Sequence, residues 1–261
     1  MTLSTDAIHS KSRAEEISAI LRDEILCGQY RPGERLPSER DLAARFATNR
    51  GAVRESLKKL EQLGIASIKP GGVRVVPIEE ASLSILGHLL ELEAVPNARL
   101  VGHVLDVLGA LIAQSARSAV EAATPVQLAE MQAQVETLVA TVDDPELSQQ
   151  NWRVLARQFA SINNNLVLHL ILNGLKTQFV GRLDGLGLEV RLPRQRNIEA
   201  LQALARGISK RHPETVTSAI NDHFVSLRES VQMALLANTP QQPGNHGPAP
   251  FTRTNATEES Y

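Results

Sequence analysis

The side chains best suited to chemistry in this chain are basic, and many of them fall within one short stretch. The whole chain of 261 residues carries 27 Lys or Arg against 29 Asp or Glu, whereas residues 40–74 carry eight basic side chains against three acidic ones. The eight are Arg40, Arg45, Arg50, Arg54, Lys58, Lys59, Lys69 and Arg74. Such a local excess of positive charge is typical of a surface that binds nucleic-acid phosphates. Arginine also donates two hydrogen bonds to guanine, and asparagine pairs with adenine through two bonds.

Residues 50–63 combine this charge with a helical pattern. At about 100° per residue, the apolar side chains gather on one side of a helix, and Arg50, Arg54 and Lys58 gather on another. The apolar residues are Val53, Leu57, Leu60 and Leu63. One face is therefore predicted to pack on other helices while the other presents cations, as in the recognition helix of a helix-turn-helix. We expect residues 49–54, at the N-terminal end, to reach base edges.

The elements around this helix are those of a winged helix-turn-helix. Apolar residues at helical spacing predict a first helix over residues 13–26. Ser38 is typical of an N-cap and predicts a second, short helix. After Gly64, two β-prone runs on either side of residues 70–72 predict a β-hairpin, the wing. Its tip, with Arg74 behind it, is expected to lie along the adjacent minor groove or phosphates.

From residue 81 onward the sequence shows helical patterns and no strand pattern. Long segments rich in Leu, Ala and Val, separated by proline breaks, predict an antiparallel bundle. The predicted helices span residues 82–93, 98–121, 126–141, 147–165, 166–186, 195–210 and 214–236. The predicted fold class is mainly α: an N-terminal winged helix-turn-helix of three helices plus a β-hairpin wing, followed by an all-α antiparallel helical bundle.

The predicted domain organisation has four parts. They are a flexible tail over residues 1–10, the winged helix-turn-helix over 11–78, the all-α domain over 79–236, and a disordered tail over 237–261. The last part is assigned as disordered because it is rich in Pro, Asn, Thr and Gly and has little to bury.

Several other classes of protein lack support in the sequence. Cys27 is the only cysteine, which excludes an intramolecular disulfide and a Cys-rich zinc module. The first residues lack the apolar core of a signal peptide, and no apolar run approaches the roughly 20 residues of a membrane helix. No phosphate loop, nucleophile elbow or H-E-x-x-H pattern occurs, so we do not expect an enzyme. These features predict a soluble, cytoplasmic protein.

Two alternatives to DNA binding remain open from the residues alone. In one, the basic helix is an ordinary solvated surface on a module whose bundle only dimerises. In the other, the winged helix binds RNA. Aromatic residues make up only 3% of the chain, however, and unpaired RNA bases are usually recognised by stacking on aromatic side chains.

The stretch YRPGERLPSERDLAARFATNRGAVRESLKKLEQLGIASIKPGGVRVV resembles the DNA-binding domain of GntR-type bacterial transcription regulators. The shared elements are the PG-x-x-LPSER-x-LA turn and helix, the NR-x-x-VRE-x-L recognition helix and the LG…GG wing. The helical region is similar to the effector domain of the FadR subgroup, most clearly over residues 162–176. The resemblance implies a homodimer on a palindromic site in double-stranded DNA, controlled by a small-molecule effector. The DNA contacts that it implies are Arg40, Asn49, Arg50, Gly51, Arg54, Pro70 and Gly71.

Many relatives in this subgroup bind a divalent metal through one Asp and three His. The resemblance places these positions near residues 152–157, at about Leu201 and at His223. Only His223 is a metal-ligating residue type there, so we expect neither a metal nor another cofactor. His223 is then either a structural histidine hydrogen-bonded to a neighbour or an effector contact. The loss of charged ligands favours an acyl-type effector, with a polar carboxylate, or no effector at all, as alternatives.

Overall fold

The structure is a computed structural model that describes residues 12–92, 95–180, 188 and 190–238. The chain falls into two compact units, divided between Ile85 and Leu86. The predicted flexible tail over residues 1–10 lies outside the described residues. So does the predicted disordered tail, apart from residues 237–238, which belong to the last helix.

The first unit contains three helices and a hairpin in the predicted order. The helices are α1 (Arg13–Leu26), α2 (Glu39–Arg45) and α3 (Arg50–Gln62), followed by strands β1 (Ala66–Lys69) and β2 (Gly72–Val75) and a 3₁₀ turn (Ile78–Glu80). Ser12, Ser38 and Asn49 cap the three helices, each accepting a hydrogen bond from the backbone N–H three residues further on. These bonds satisfy amide groups that have no partner inside the helix, so the local sequence sets where each helix begins.

The wing contains more backbone pairing than a hairpin alone. Strands β1 and β2 pair in antiparallel register with Lys69 opposite Gly72. Residues 33–36, which precede α2, run beside β2 and share three backbone hydrogen bonds of 2.9 Å with it. At the tip, Gly71 and Gly72 have φ values of 98° and 128°, a region that favours glycine over residues with a side chain. The wing is therefore connected to the loop that leads into α2.

All three helices of the first unit contribute buried apolar side chains. These include Ile17, Leu21, Leu42, Val53, Leu57 and Leu60, and Ile65, which follows α3, is buried as well. Residues 79–85, which the sequence interpretation assigns to the second domain, pack with this unit in the structure. Ser82 N donates a hydrogen bond to the Leu63 carbonyl at 3.0 Å. A Cβ placed on Gly64 would lie 3.0 Å from the Ala81 Cα, so the two segments are in close contact.

The second unit is helical in nearly all of its described residues. Its helices, the first of which begins at the division between the units, are α4 (Ile85–Glu91), α5 (Ala98–Ala122), α6 (Pro125–Ala140), α7 (Pro145–Asn163), α8 (Leu166–Leu175), α9 (Arg194–Ser209) and α10 (Pro213–Asn238). The predicted mainly α fold class, with a winged helix-turn-helix before an all-helical region, is confirmed.

Two predicted helices differ in extent from the observed ones. The helix predicted over residues 82–93 is only α4, because the residues before it turn and pack on the first unit. The helix predicted over residues 166–186 is α-helical only as far as Leu175; a π-helical turn follows over Lys176–Val180, and residues 181–186 lie outside the described residues. The Thr177 hydroxyl donates to the Asn173 carbonyl at 2.8 Å, a bond that competes with the helical pattern.

Two clusters of buried side chains stabilise the second unit. One joins α5, α6, α7, α9 and α10 and includes Met131, Leu155, Phe159, Leu201 and Ile220. The other joins α4, α5, α8 and α10 and includes Leu90, Val101, Leu175 and Leu235. Across the described ranges of the chain, no helix is long and apolar enough to cross a membrane.

Candidate nucleic-acid interface and bundle core

Helix α3 buries one face and exposes the opposite one. Val53, Leu57 and Leu60 are at most 2% exposed, whereas Arg50 and Arg54 are exposed. The buried face fixes the rotation of the helix about its own axis. Because this rotation directs the opposite face outward, both arginines face solvent whether or not they pair with another side chain.

Asn49 has a structural role that the sequence interpretation missed. It is the N-cap of α3, and its Oδ1 accepts a hydrogen bond from Ala52 N at 2.9 Å. A two-bond pair with adenine uses the amide oxygen as well as the amide nitrogen. Since the cap already engages the oxygen, it is chiefly the amide N–H groups that remain for another partner. A Cβ on Gly51 would lie 3.1 Å from this oxygen, so glycine here leaves room for the cap.

Arg54 and Glu39 form an ion pair between α3 and α2. Arg54 Nε lies 3.0 Å from Glu39 Oε1 and 2.8 Å from Oε2. The two terminal nitrogens of Arg54 make no hydrogen bond with any residue that the structure describes. The sequence interpretation identified Arg54 and did not identify its acidic partner.

The other basic side chains of this surface differ in how strongly they are paired. Arg40 is 80% exposed and lies 3.6 Å from Asp41, too far for a strong hydrogen bond. The Ser38 hydroxyl, with a smaller contribution from Arg40, lowers the pKa of Asp41. Lys58 Nζ is 2.9 Å from Glu55 Oε1. Arg50 has no ion-pair partner among the described side chains.

The wing exposes its tip and brings together two arginines. Lys69, Pro70 and Gly71 are exposed. Arg74 Nη1 donates to the Gly33 carbonyl at 2.9 Å, which holds this guanidinium at the base of the wing. Arg35 lies opposite Arg74 in the backbone pairing. Sequence reasoning missed Arg35, because only the pairing of residues 33–36 with β2 brings it to the wing.

In the second unit, His223 is packed in the core against the only tryptophan of the chain. Its side chain is buried, and its ring stacks on Trp152 with ring centroids 4.0 Å apart. The Phe224 ring lies edge-on to the imidazole at 5.6 Å. Leu201 is fully buried in the apolar cluster against which Trp152 also packs. His223, one of the positions that the resemblance assigns to a metal ligand, is therefore in direct contact with an indole from the segment 152–157, near which the resemblance places two other ligands.

These residues do not fit a metal ion. Structural and catalytic zinc sites use three or four nitrogen, sulfur or oxygen ligands. Here the imidazole of His223 stacks on an indole, a leucine stands at about position 201, and residues 152–157 contain no Asp or His. Within the part of the chain that the structure describes, no group of three or more His, Cys, Asp or Glu side chains is placed to hold a metal.

His223 is a neutral imidazole with an unpartnered nitrogen. Burial lowers the pKa of His223 to about 3, because the protonated form would lose its hydration. Nδ1 has no hydrogen-bond partner among the described residues. The sequence leaves open a structural histidine hydrogen-bonded to a neighbour as one possibility, and no such bond forms at Nδ1 among the described residues. The rings of Trp152 and Phe224 contact the imidazole.

Further buried polar atoms in this unit also lack partners among the described residues. They include Trp152 Nε1, Gln158 Oε1, Asn197 Oδ1 and Ser230 Oγ. An unpartnered buried polar group costs about 1–3 kcal/mol. All of these groups are uncharged, whereas charged residues of α9 and α10 pair at the surface: Arg196 lies 3.0 Å from Glu229, and Arg228 lies 2.7 Å from Asp106.

Both units are similar to known proteins. Residues 13–76 match the gntR family of bacterial regulatory proteins, and residues 103–226 match the FCD domain. The transcriptional regulator Mce2R of Mycobacterium tuberculosis is 26% identical over 234 residues, which are 89% of this chain and 97% of that protein. The galactonate operon transcriptional repressor of Escherichia coli is 29% identical over 139 residues, 52% of this chain and 60% of that protein. The solved structure of Streptococcus agalactiae GntR aligns over 83% of this chain and 100% of that one, with 21% identity and a TM-score of 0.41.

The two matched segments coincide with the winged helix-turn-helix and with the greater part of the helical unit. The relatives named above are transcription regulators, a class of protein that is not enzymatic. This chain combines a GntR DNA-binding domain with an FCD domain and belongs to the GntR family of bacterial transcription regulators.

Proposed function

We propose that this regulator binds a two-fold symmetric site in double-stranded DNA as a homodimer. Helix α3 enters the major groove, and the wing lies on the neighbouring backbone or minor groove. The observation that carries this proposal is that α3 buries its apolar face while Arg50 and Arg54 remain exposed. The major groove admits one α-helix, and a two-fold dimer presents two of them to inverted half-sites.

The basic side chains have two kinds of role in this arrangement. Arg50 and Arg54 contact base edges, where arginine hydrogen-bonds guanine O6 and N7. Arg40 contacts the phosphates or a flanking base, and the exposed tip at Pro70 and Gly71 approaches the minor groove or backbone.

Asn49 and Gly51 act mainly through the start of α3. Asn49 caps the helix and offers its amide N–H groups to an acceptor on DNA. Gly51, without a side chain, leaves the backbone of the first turn open to close approach.

The DNA-binding proposal is tested by selecting bound sequences from a random duplex pool and then titrating the selected duplex at fixed salt. A scrambled duplex and an RNA of the selected sequence serve as controls. We expect enrichment of an inverted repeat that binds two chains. Equal affinity for the RNA would favour RNA binding, and a dimer without affinity for any nucleic acid would favour a module whose bundle only dimerises.

The FCD domain, in the same proposal, holds a small uncharged effector beside His223. The support is the pair of buried, uncharged and unpartnered ring nitrogens of Trp152 and His223, whose rings stack on each other. Burying a carboxylate against a neutral imidazole costs far more than burying a carbonyl that accepts a hydrogen bond. An acyl-type ligand meets this requirement through its ester or thioester carbonyl. A polar carboxylate, the alternative, needs a cation to pair with it.

Trp152 supplies a direct assay for the effector, because its fluorescence is the only tryptophan signal of the chain. Octanamide and octanoate, and likewise benzamide and benzoate, are matched in size and differ in charge. We expect the amides to change the emission of Trp152 and raise the melting temperature, and His223→Phe to weaken both effects. His103→Phe, at an exposed position of α5, is the matched control. A response confined to the carboxylates would contradict an uncharged effector.

A further inference from the structure

Glu39 contacts Arg54 on the surface proposed to bind DNA. Arg54 Nε lies 2.8 and 3.0 Å from the two carboxylate oxygens of Glu39. The Arg54 and Glu39 side chains are 63% and 37% exposed, so the pair is accessible to a ligand. Glu39 is also the first residue of α2, where the helix dipole favours a negative charge. The helix terminus and Arg54 thus both favour a negative charge on this side chain.

The ion pair occupies only one edge of the Arg54 guanidinium. An arginine has five N–H donors in one plane. Glu39 engages Nε, while Nη1 and Nη2 have no partner within the described residues. Arginine reads guanine through two parallel bonds to O6 and N7. Because the group is planar, a carboxylate fixed at Nε also fixes the direction in which the two Nη groups point.

We infer that Glu39 is a positioning residue for base readout: its carboxylate at Nε holds Arg54 with both Nη groups directed to a guanine. This inference rests on the proposed binding of duplex DNA. Glu39 has two opposite effects. Its negative charge repels phosphates and weakens binding to DNA of any sequence, whereas its contact with Arg54 orders the guanidinium before DNA binds. The net result is higher specificity at lower overall affinity.

The chain offers a matched control in Glu55. This residue lies on α3, is exposed and pairs with Lys58 at 2.9 Å. Glu55→Gln removes the same charge from the same surface as Glu39→Gln, and it leaves the contacts of Arg54 unchanged. The two variants therefore separate the effect of charge from the effect of positioning.

The experiment measures the affinity of the full chain for the selected duplex and for a scrambled duplex at one salt concentration. Both variants are expected to bind the scrambled duplex more tightly, to a similar extent. Glu39→Gln is expected to lower the ratio of selected to scrambled affinity by about two- to tenfold, the amount due to ordering one long side chain. Glu55→Gln is expected to leave this ratio unchanged. In an Arg54→Lys background, Glu39→Gln should cause no further loss of specificity.

Two results would overturn the inference while the proposed function stands. The first is an equal specificity ratio for Glu39→Gln and Glu55→Gln. The second is a rise in the ratio for Glu39→Gln, which would mean that Glu39 holds Arg54 away from the base. If the wild-type chain enriches no sequence at all, the proposed DNA binding itself fails, and the role of Glu39 fails with it.

Discussion

Replacing His223 with phenylalanine tests the buried imidazole through the pH dependence of stability. In the folded chain, burial lowers the pKa of His223 to about 3. In the unfolded chain, a histidine titrates at about 6.5. Between these two values the unfolded chain binds a proton that the folded chain does not. The free energy of unfolding therefore has its full value above about pH 6.5 and falls as the pH decreases towards 3.

The size of this effect follows from the pKa difference. Each pH unit below about 6.5 costs the folded state about 1.4 kcal/mol, so going from about pH 7 to about pH 5 costs about 2 kcal/mol through His223 alone. Phenylalanine keeps a ring that stacks on Trp152, takes up no proton and removes the unpartnered Nδ1. We expect His223→Phe to be at least as stable as the wild type near pH 7. Near pH 5, its free energy of unfolding relative to that of the wild type should be larger by about 2 kcal/mol than it is near pH 7.

Urea unfolding followed by Trp152 fluorescence measures this difference at both pH values. Because both proteins share all other titrating groups, their difference isolates His223. His103→Phe, which removes a histidine from an exposed site, is the matched control. An identical pH dependence for wild type and His223→Phe would show that the imidazole keeps an ordinary pKa. A wild type that gains stability at low pH would show that a carboxylate pairs with His223. Either result would refute the reasoning from burial.

Four further predictions concern the DNA-binding surface and the bundle core. Asn49→Ala should lower the free energy of unfolding by about 1 kcal/mol through loss of the cap, whereas Asn49→Asp keeps a capping oxygen; equal thermal stability of the two variants would contradict this role. Arg50→Ala should weaken binding of the selected duplex by about 1–3 kcal/mol, as measured by fluorescence anisotropy, if it reads a guanine; unchanged affinity with an intact fold would exclude that contact. Lys58→Ala should weaken all duplexes alike and reduce the salt slope by about one unit; a sequence-dependent loss would instead place this residue at a base. Because His223 stacks on Trp152, elemental analysis of dialysed protein should find no stoichiometric zinc, nickel or manganese; about one metal ion per chain would refute this.

The sequence determined the elements of the DNA-binding unit because the interactions that form them are local. The apolar spacing of α3 alone indicates which face is buried. Arg50 and Arg54 lie on another face of the helix and are therefore directed to solvent. Ser38 marks the start of α2 because its side chain bonds to an amide only three residues away. The same holds for the wing, whose strands are joined by a glycine turn. The resemblance to the GntR family was visible for the same reason, since its motifs are contiguous in the chain.

Only the tertiary structure decided how these side chains are partnered. No local pattern pairs Glu39 with Arg54, brings Arg35 to the wing or stacks Trp152 on His223. These contacts join residues from different elements, so they depend on which faces of those elements pack together and on how deeply each side chain is buried. The pKa of His223 shows this most clearly: the sequence places a histidine on a helix, but its neutrality follows from the loss of water around it, and that loss exists only once the rings and apolar side chains of other helices have packed against it.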